Sequence, residues 1–422
     1  MPTDSKTSLQ NGLRLTVAPM NGLPSATVLV LIGAGSRYEQ REKAGLSHFL
    51  EHMIFKGTKK RPSAFEISSL VDSVGGSNNA FTSKDHTGYF IKLQNSHLEL
   101  AFDLLSDTLR NSLFDQTEID RERGTILEEI NMYEDTPMYD IDEVFYSLMY
   151  DGHPLGWSTA GDKKTVKNIQ RQDFVSYCDR FYQGSDMVLA VAGGVKEDEV
   201  RKLAEKYFSG FSKGKKEKIV NFIEDQKQPR VKIKYKQTDQ CHLYLGYPCF
   251  SFFDEDKTAL AVLGAILGGG MSSRLFTEIR ERRGLAYYVR SVSDLHEETG
   301  YFAARAGVNI DKAPEAVKVI LNEFEKVKNN DVKQKELSKA KEYIKGHLAL
   351  DLEDSLEVAV WYGRRLLLQN QTETPEEVFR KIDKISLEDI KRVSDRVFNR
   401  SKINLAMIGP LKEEDKFLKL IA

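Results

Sequence analysis

Two histidines four residues apart, His48 and His52, with Glu51 directly before the second, form an H-x-x-E-H pentad. No other feature constrains the fold as much, because the pattern has a chemical use only on a helix and only with a partner brought from elsewhere in the chain. On a helix, residues four apart lie one turn above each other, and Glu51 points to nearly the same side. Leu46, Phe49, Leu50, Met53 and Ile54 make an apolar stripe at helical spacing; at about 100° per residue the polar trio falls on the opposite side. Gly57 is the expected helix stop, with Lys56 in the last turn. Two imidazoles so placed can bind Zn²⁺, and the glutamate can hold a carboxylate over the open position of the metal. The bland alternative is a solvated helix face; a buried structural histidine pair fits less well, because the trio avoids the core stripe.

Two imidazoles need a third protein ligand, and a carboxylate is the usual choice in hydrolytic sites of this kind. The stretch 115–130 reads as a helix opened by Asp115 and Glu118 as a capping pair, with Ile119, Ile126, Leu127 and Ile130 as its buried stripe. Glu122 and Glu129 are two turns apart and both lie beside that stripe, whereas Glu128 faces water. A carboxylate at the edge of a core needs a partner, which a metal ion or a metal-bound imidazole supplies. Glu129 is therefore expected as third ligand and Glu122 as the carboxylate that orients a histidine.

The order of residues in H-F-L-E-H at 48–52, the reverse of H-E-x-x-H, is the inverzincin signature. With R-E-R-G-T-I-L-E-E-I at 121–130, the chain resembles the pitrilysin family, which includes insulin-degrading enzyme, the mitochondrial processing peptidase and many bacterial peptidases. In that family about 76 residues separate the second histidine from the third ligand, the interval found between His52 and Glu129. The resemblance extends along the chain, through Gly35-Ser-Arg-Tyr-Glu39, Asn79-Ala80-Phe81-Thr82-Ser83, His153-Pro-Leu-Gly156, the segment from Ser273 to Arg280, and Gly284-Leu-Ala-Tyr287. The bacterial single-chain type is the most similar in length. What the resemblance implies is a zinc metalloendopeptidase in which Zn²⁺ sits on His48, His52 and Glu129, Glu51 is the general base, and Asn79, Ala80, Phe81 and Thr82 form an edge strand that a substrate peptide extends.

Composition sets no obstacle. At 422 residues the length prior is two or three domains. A net charge of −2, with 29% charged residues, argues against nucleic acid as a partner. Cys178, Cys241 and Cys249 are too few for a disulfide framework and lack metal spacing. No apolar run reaches the roughly 18 residues of a membrane span. The first residues lack the pattern of a signal or transit peptide, so the expected location is the cytoplasm.

The chain reads as two similar halves: a zinc-binding domain over 1–212, a polar, Lys-rich linker over 213–229, and a second homologous domain over 230–422. The first half orders as strands at 13–17 and 27–32, the motif helix, a helix at 64–74, strands across 79–93, three long helices to about 149, a helix near 174–181, a strand at 188–192 and a helix at 198–208. The second repeats the order, with strands at 231–235, 242–246, 286–292, 301–308 and 403–408, a helix at 258–267 and four amphipathic helices to about 397. This mixture predicts α+β halves, each a mainly antiparallel sheet with helices packed on one face.

The second half lacks the pentad. Its Gly268-Gly-Gly270 run has no phosphate-binding signature and reads as a turn between helices, with Ser272 or Ser273 as N-cap; in processing-peptidase relatives a Gly-rich loop here is thought to help admit substrate. Arg280 and Tyr287 flank a stop at Gly284. In relatives such a pair reaches into the active site of a facing half-enzyme, where an arginine can hold substrate carbonyls and a tyrosine hydroxyl can donate to an oxyanion. Long family members carry two duplicated halves and close as a clamshell chamber. This chain carries one, so the resemblance implies a two-fold homodimer with each site completed in trans. Asp140, Asp142 and Glu143 follow Glu129, but their spacing differs from the acids that read arginine in processing peptidases, and that specificity is not carried over. Two other classes stay open: a non-catalytic structural subunit, and the catalytic subunit of a heterodimer.

Overall fold

The strand sequence Ser25-Ala-Thr-Val-Leu-Val-Leu-Ile32 shows no polar alternation, the mark of a strand covered on both faces. The computed structural model, which describes residues 4–422, bears this out. The strands are β1 (Ser5–Ser8), β2 (Arg14–Pro19), β3 (Ser25–Ile32), β4 (Ser77–Thr82), β5 (Thr87–Gln94), β6 (Met187–Gly193), β7 (Arg230–Tyr235), β8 (Gln240–Cys249), β9 (Ala286–Leu295), β10 (Gly300–Asn309) and β11 (Asn404–Gly409). They form two sheets, of order β1-β2-β6-β3-β5-β4 and β7-β11-β8-β10-β9. Without β1 the two orders correspond strand for strand. In each sheet one parallel pair, β2–β6 or β7–β11, joins otherwise antiparallel neighbours. The expected duplicated α+β fold is therefore present.

By contacts the described chain divides into two units. The first comprises residues up to Ile130, Trp157–Val220 and Ala349–Glu376; the second comprises Asn131–Gly156, Asn221–Leu348 and Glu377–Ala422. The sequence reading placed contiguous halves on either side of a linker, whereas each compact unit here takes a segment from the opposite half. Those segments cover the far face of each sheet. In the first unit, helix Ser355–Gln369 lies on β3 and β6: Ser355 and Thr27 hydroxyls are 2.8 Å apart, and Gly363 lets the helix come down onto Leu31 and Ala190. In the second, helix Pro137–Met149 lies on β8, β10 and β11, with Phe145 stacked on Tyr244 at 4.8 Å and edge-on to Tyr301 at 5.0 Å. One face of each sheet thus carries the main helical layer, and the other a single helix.

The main core of the first unit joins Val28, Val30 and Ile32 of β3 to Phe49, Leu50, Met53, Phe102, Ile119, Ile126 and Phe174. The motif helix and the helix Gln116–Asp135 are both seated on it, which fixes their polar faces relative to each other.

Elements missed by the sequence reading include β1, the short helix Lys163–Asn168 and the terminal helix Glu414–Ile421. Between residues 313 and 397 there are five helices rather than four. One of the boundaries is at Asp354, whose side chain accepts the Leu356 N–H at 2.7 Å and opens a new helix three residues after Asp351. Neither Ser272 nor Ser273 caps the turn after Gly270: Ser273 Oγ is buried without a hydrogen-bond partner among the described residues, and the following turn has no side-chain cap. Residues 213–218 carry no helix or strand, and their lysines are exposed. No helix among the described residues is long and apolar enough to cross a membrane. The three cysteines are free.

Candidate metal centre

Helix Leu46–Met53 buries Leu46, Phe49, Leu50 and Met53 and turns His48, Glu51 and His52 the other way, as the stripe predicts. Helix Gln116–Asp135 begins where Asp115 Oδ1 accepts the Thr117 and Glu118 N–H groups, and seats Ile119, Ile126 and Ile130 in the core. These two seatings bring Glu129 over the histidines. Its Oε2 lies 3.7 Å from His48 Nε2 and 3.5 Å from His52 Nε2. One donor atom from each of the three residues falls within 4.8 Å of the others. Bonds of about 2.0–2.2 Å to a tetrahedral ion hold ligand atoms about 3.3–3.6 Å apart, so the donor set fits one small cation such as Zn²⁺.

Electrostatics point the same way. Glu51, Glu122 and Glu129 place three carboxylates around this face against one ammonium, Lys56, an excess that a divalent cation neutralises. Glu122 Oε1 is 2.8 Å from His52 Nδ1, and its Oε2 is 2.5 Å from Lys56 Nζ. Burial works to raise the Glu122 carboxyl, but the bonds to His52 and Lys56 outweigh it and hold the group below its ordinary range. The carboxylate therefore fixes the His52 ring with Nε2 turned inward, as expected for an orienting partner. Burial disfavours a charged His52, yet Glu122, Glu129 and Glu51 together raise it: these carboxylates favour a cation between the rings, proton or metal. His48 goes the other way, pushed down to about 4 by burial and by His52, against the pull of Glu129. It is neutral at pH 7, with an Nε2 lone pair free to bind metal.

Glu51 is the outlying carboxylate of the trio. Burial raises it, and the Thr82 hydroxyl, donating to its Oε2 at 2.6 Å, counters that shift. Thr82 ends β4, an edge strand paired only with β5. Along β4, Asn79 is exposed with its side-chain oxygen accepting the Ala80 N–H, Ala80 packs against the core, and the Phe81 ring lies over Gly88. The end of this strand, at Thr82, thus adjoins Glu51.

Three roles went unseen in the sequence. Thr82 holds Glu51, Lys56 holds Glu122, and Glu39 binds the start of the motif helix, where its carboxylate accepts the Gly45 and Ser47 N–H groups. Burial pushes Glu39 up to about 7 despite those bonds. A signal was available for Glu39: Gly45 precedes the helix and has no side chain to cap it.

Arg280 and Tyr287 belong to the second unit. Arg280 lies on a wide π-type turn, Phe276–Glu281, its guanidinium 4.8 Å over the Phe276 ring and 5.6 Å over that of Tyr287. Gly284 at φ 58° ends the turn, as expected, and Tyr287 on β9 is 71% exposed. Asp140 pairs with Lys234 and Asp142 with Arg305. Those two acids are committed to holding their helix on the second sheet rather than displayed for a substrate.

Residues 16–163 match the family described as Insulinase (Peptidase family M16), and residues 168–344 match the Peptidase M16 inactive domain. The chain is 33% identical to an uncharacterized zinc protease of Bacillus subtilis, YmxG, over 95% of this chain and 97% of that one. It is also 33% identical to an uncharacterized zinc protease of Streptomyces coelicolor, over 98% of this chain and 91% of the relative. Among solved structures it superposes on a protease from Helicobacter pylori with a TM-score of 0.91 and 28% identity, covering 97% of this chain and all of that one. A peptidase M16 inactive domain from Pseudomonas fluorescens shares the fold, with a TM-score of 0.89 at 19% identity and coverage of 97% and 98%.

Proposed function

The chain belongs to the insulinase (M16) family of peptidases, and on that premise we propose that it is a zinc-dependent endopeptidase acting on extended peptides or unfolded protein segments. The observation that carries this reading is the convergence of His48, His52 and Glu129 on one point with Glu51 beside it. The names of the relatives support zinc as the ion. Bound there, zinc supplies a Lewis acid that polarises a carbonyl and acidifies water.

The chain's own residues do the rest. Glu51 accepts a proton from the attacking water and returns it to the leaving amine nitrogen. Thr82 keeps Glu51 aimed and favours its anion against the upward push of burial. Glu122 holds His52 in one tautomer. A substrate segment pairs with the outer edge of β4 across Asn79, Ala80, Phe81 and Thr82, so backbone hydrogen bonds, rather than one side chain, give most of the affinity. Tyr287 donates to the developing oxyanion and Arg280 holds substrate carbonyls, both supplied by a second copy of the chain in a homodimer that encloses the substrate.

A quenched-peptide library assayed with and without a chelator, alongside metal analysis, tests the assignment. Cleavage that stops on chelation and returns with zinc supports it. A zinc-loaded chain that cuts nothing would instead be a structural or partner-binding subunit. The dimer has its own test. Arg280→Ala and Glu51→Gln chains, each inactive alone, should regain activity when mixed, because one hybrid site then has both intact halves; mixtures that stay inactive argue against completion in trans.

A further inference from the structure

Helix Leu46–Met53 is 8 residues long, too short to hold its shape unaided in water. Its first N–H groups have no partner inside the helix. Gly45, at the N-cap, has no side chain to offer, and the fold forbids one: its φ is 96°, and a Cβ there would lie 2.6 Å from the Ala160 carbonyl oxygen. Glu39, six residues upstream and buried, does the capping. Its Oε2 accepts the Gly45 N–H at 2.7 Å, its Oε1 accepts the Ser47 N–H at 2.6 Å, and the Ser47 hydroxyl donates to the same Oε1. A carboxylate at this end of a helix also complements the helix dipole.

The two histidines are secured differently. The His52 ring is held by Glu122 through Nδ1. His48 Nδ1 is buried and has no hydrogen-bond partner among the described residues. Metal-binding imidazoles normally take their orientation from a bond to the second nitrogen, and His48 lacks it. The position of its Nε2 therefore depends on the backbone of the first helical turn. Ser47, the residue that Glu39 grips twice, is the neighbour of His48 in the chain.

We propose that Glu39 is a positioning residue for the metal centre: it clamps the first turn of the motif helix so that His48 Nε2 meets His52 and Glu129. The inference rests on the metal-site reading above and assigns a residue outside the donor set. The test is zinc affinity, by chelator competition, for the full chain and its Glu39→Gln and Glu39→Ala variants. Ser63→Ala serves as control, since it removes an ordinary N-cap from the neighbouring helix Ala64–Asp72.

Loss of an outer partner of a metal site weakens binding about 10- to 100-fold, and that is the expected loss for Glu39→Gln, with Glu39→Ala at least as weak. Ser63→Ala should stay within about twofold of the parent, because lost helix stability alone does not move the donors. Cobalt-loaded Glu39→Gln should also show altered d–d absorption bands. Folded Glu39→Gln with unchanged zinc affinity and an unchanged cobalt spectrum overturns the proposal, whether or not the alanine variant folds. None of these readouts needs a substrate. A parent chain that cuts no peptide, but whose zinc affinity falls in Glu39→Gln, sinks the peptidase reading and leaves this one standing.

Discussion

Glu51 is held between two influences, burial that favours its acid form and a Thr82 hydroxyl at 2.6 Å that favours the anion. A base must be the anion, so removing its charge should abolish turnover while leaving the three ligands in place. Glu51→Gln is expected to keep zinc, by metal analysis, and to lose on the order of 10²–10⁴ in peptide turnover. Turnover retained by the zinc-loaded variant takes Glu51 out of that role. His86 gives a second residue-level test, on a group outside the proposed donor set. Burial first, then Arg364, push it down to about 3, against the pull of Asp85. An unfolded histidine titrates near 6.5. Between these values the unfolded chain binds a proton that the folded chain refuses. Stability is therefore full above about pH 6.5 and falls as pH drops toward 3, by at most ~1.4 kcal/mol per unit. Urea midpoints between pH 7 and pH 5 should fall less steeply in His86→Gln than in the parent; an equal slope would contradict the assignment. The convergence of His48, His52 and Glu129 was legible from sequence because helical spacing carries it: the stripe of Leu46, Phe49, Leu50 and Met53 orients His48 and His52, and that of Ile119, Ile126 and Ile130 orients Glu122 and Glu129. Glu39 and Thr82 were not assigned these roles, since their contacts with Ser47 and Glu51 cross a loop and a sheet edge that no local periodicity encodes.

At the scale of the elements, Gly363 separates intrinsic propensity from packing. In mid-helix, Gly→Ala ordinarily stabilises by about 1 kcal/mol. A Cβ at Gly363 would lie 2.9 Å from Ala190 Cβ and 2.9 Å from Leu31 Cδ1, so the helix must lift off β3 and β6. Overpacking of this kind costs about 1–3 kcal/mol, and Gly363→Ala should lower the urea midpoint. Gly346, in helix Gln334–Asp351, has nothing within 4 Å of a built Cβ, and Gly346→Ala should raise the midpoint by the ordinary amount. If both shift the same way, the close approach at Gly363 is not what holds that face. The same helix shows where sequence reading loses information. Most elements were legible from period and punctuation, β3 and β6 from their apolar runs and the helices from their stripes. A break such as that at Asp354 is hard to read, because Asp351, Glu353 and Asp354 around Leu352 are as compatible with a half-exposed helical turn as with a break. That Ser355–Gln369 packs on strands more than 160 residues earlier in the chain is a long-range fact, and an amphipathic pattern names no partner.

For the whole molecule, the exchange of segments has a consequence that contiguous halves would not. A cut between Lys215 and Lys216, in an exposed stretch without helix or strand, separates two fragments. The first then carries helix Pro137–Met149, whose seat on Tyr244, Tyr301 and Ile408 lies in the second. The second carries helix Ser355–Gln369, whose seat on Leu31 and Ala190 lies in the first. Alone, each fragment would expose one apolar sheet face and one apolar helix face, surfaces large enough to drive aggregation. Together, each supplies what the other lacks. Co-expressed fragments 1–215 and 216–422 should therefore co-purify in equal amounts and bind zinc as the intact chain does, whereas either fragment alone should be insoluble or lack a cooperative unfolding transition. The proposed zinc ligands His48, His52 and Glu129 all lie in the first fragment, so zinc binding by the pair but not by fragment 1–215 alone would show that the centre depends on the covering helix as well as on its own donors. Two fragments that fold and purify independently would mean that the exchanged helices are appendages, and that each sheet and its main helical layer is a domain in its own right.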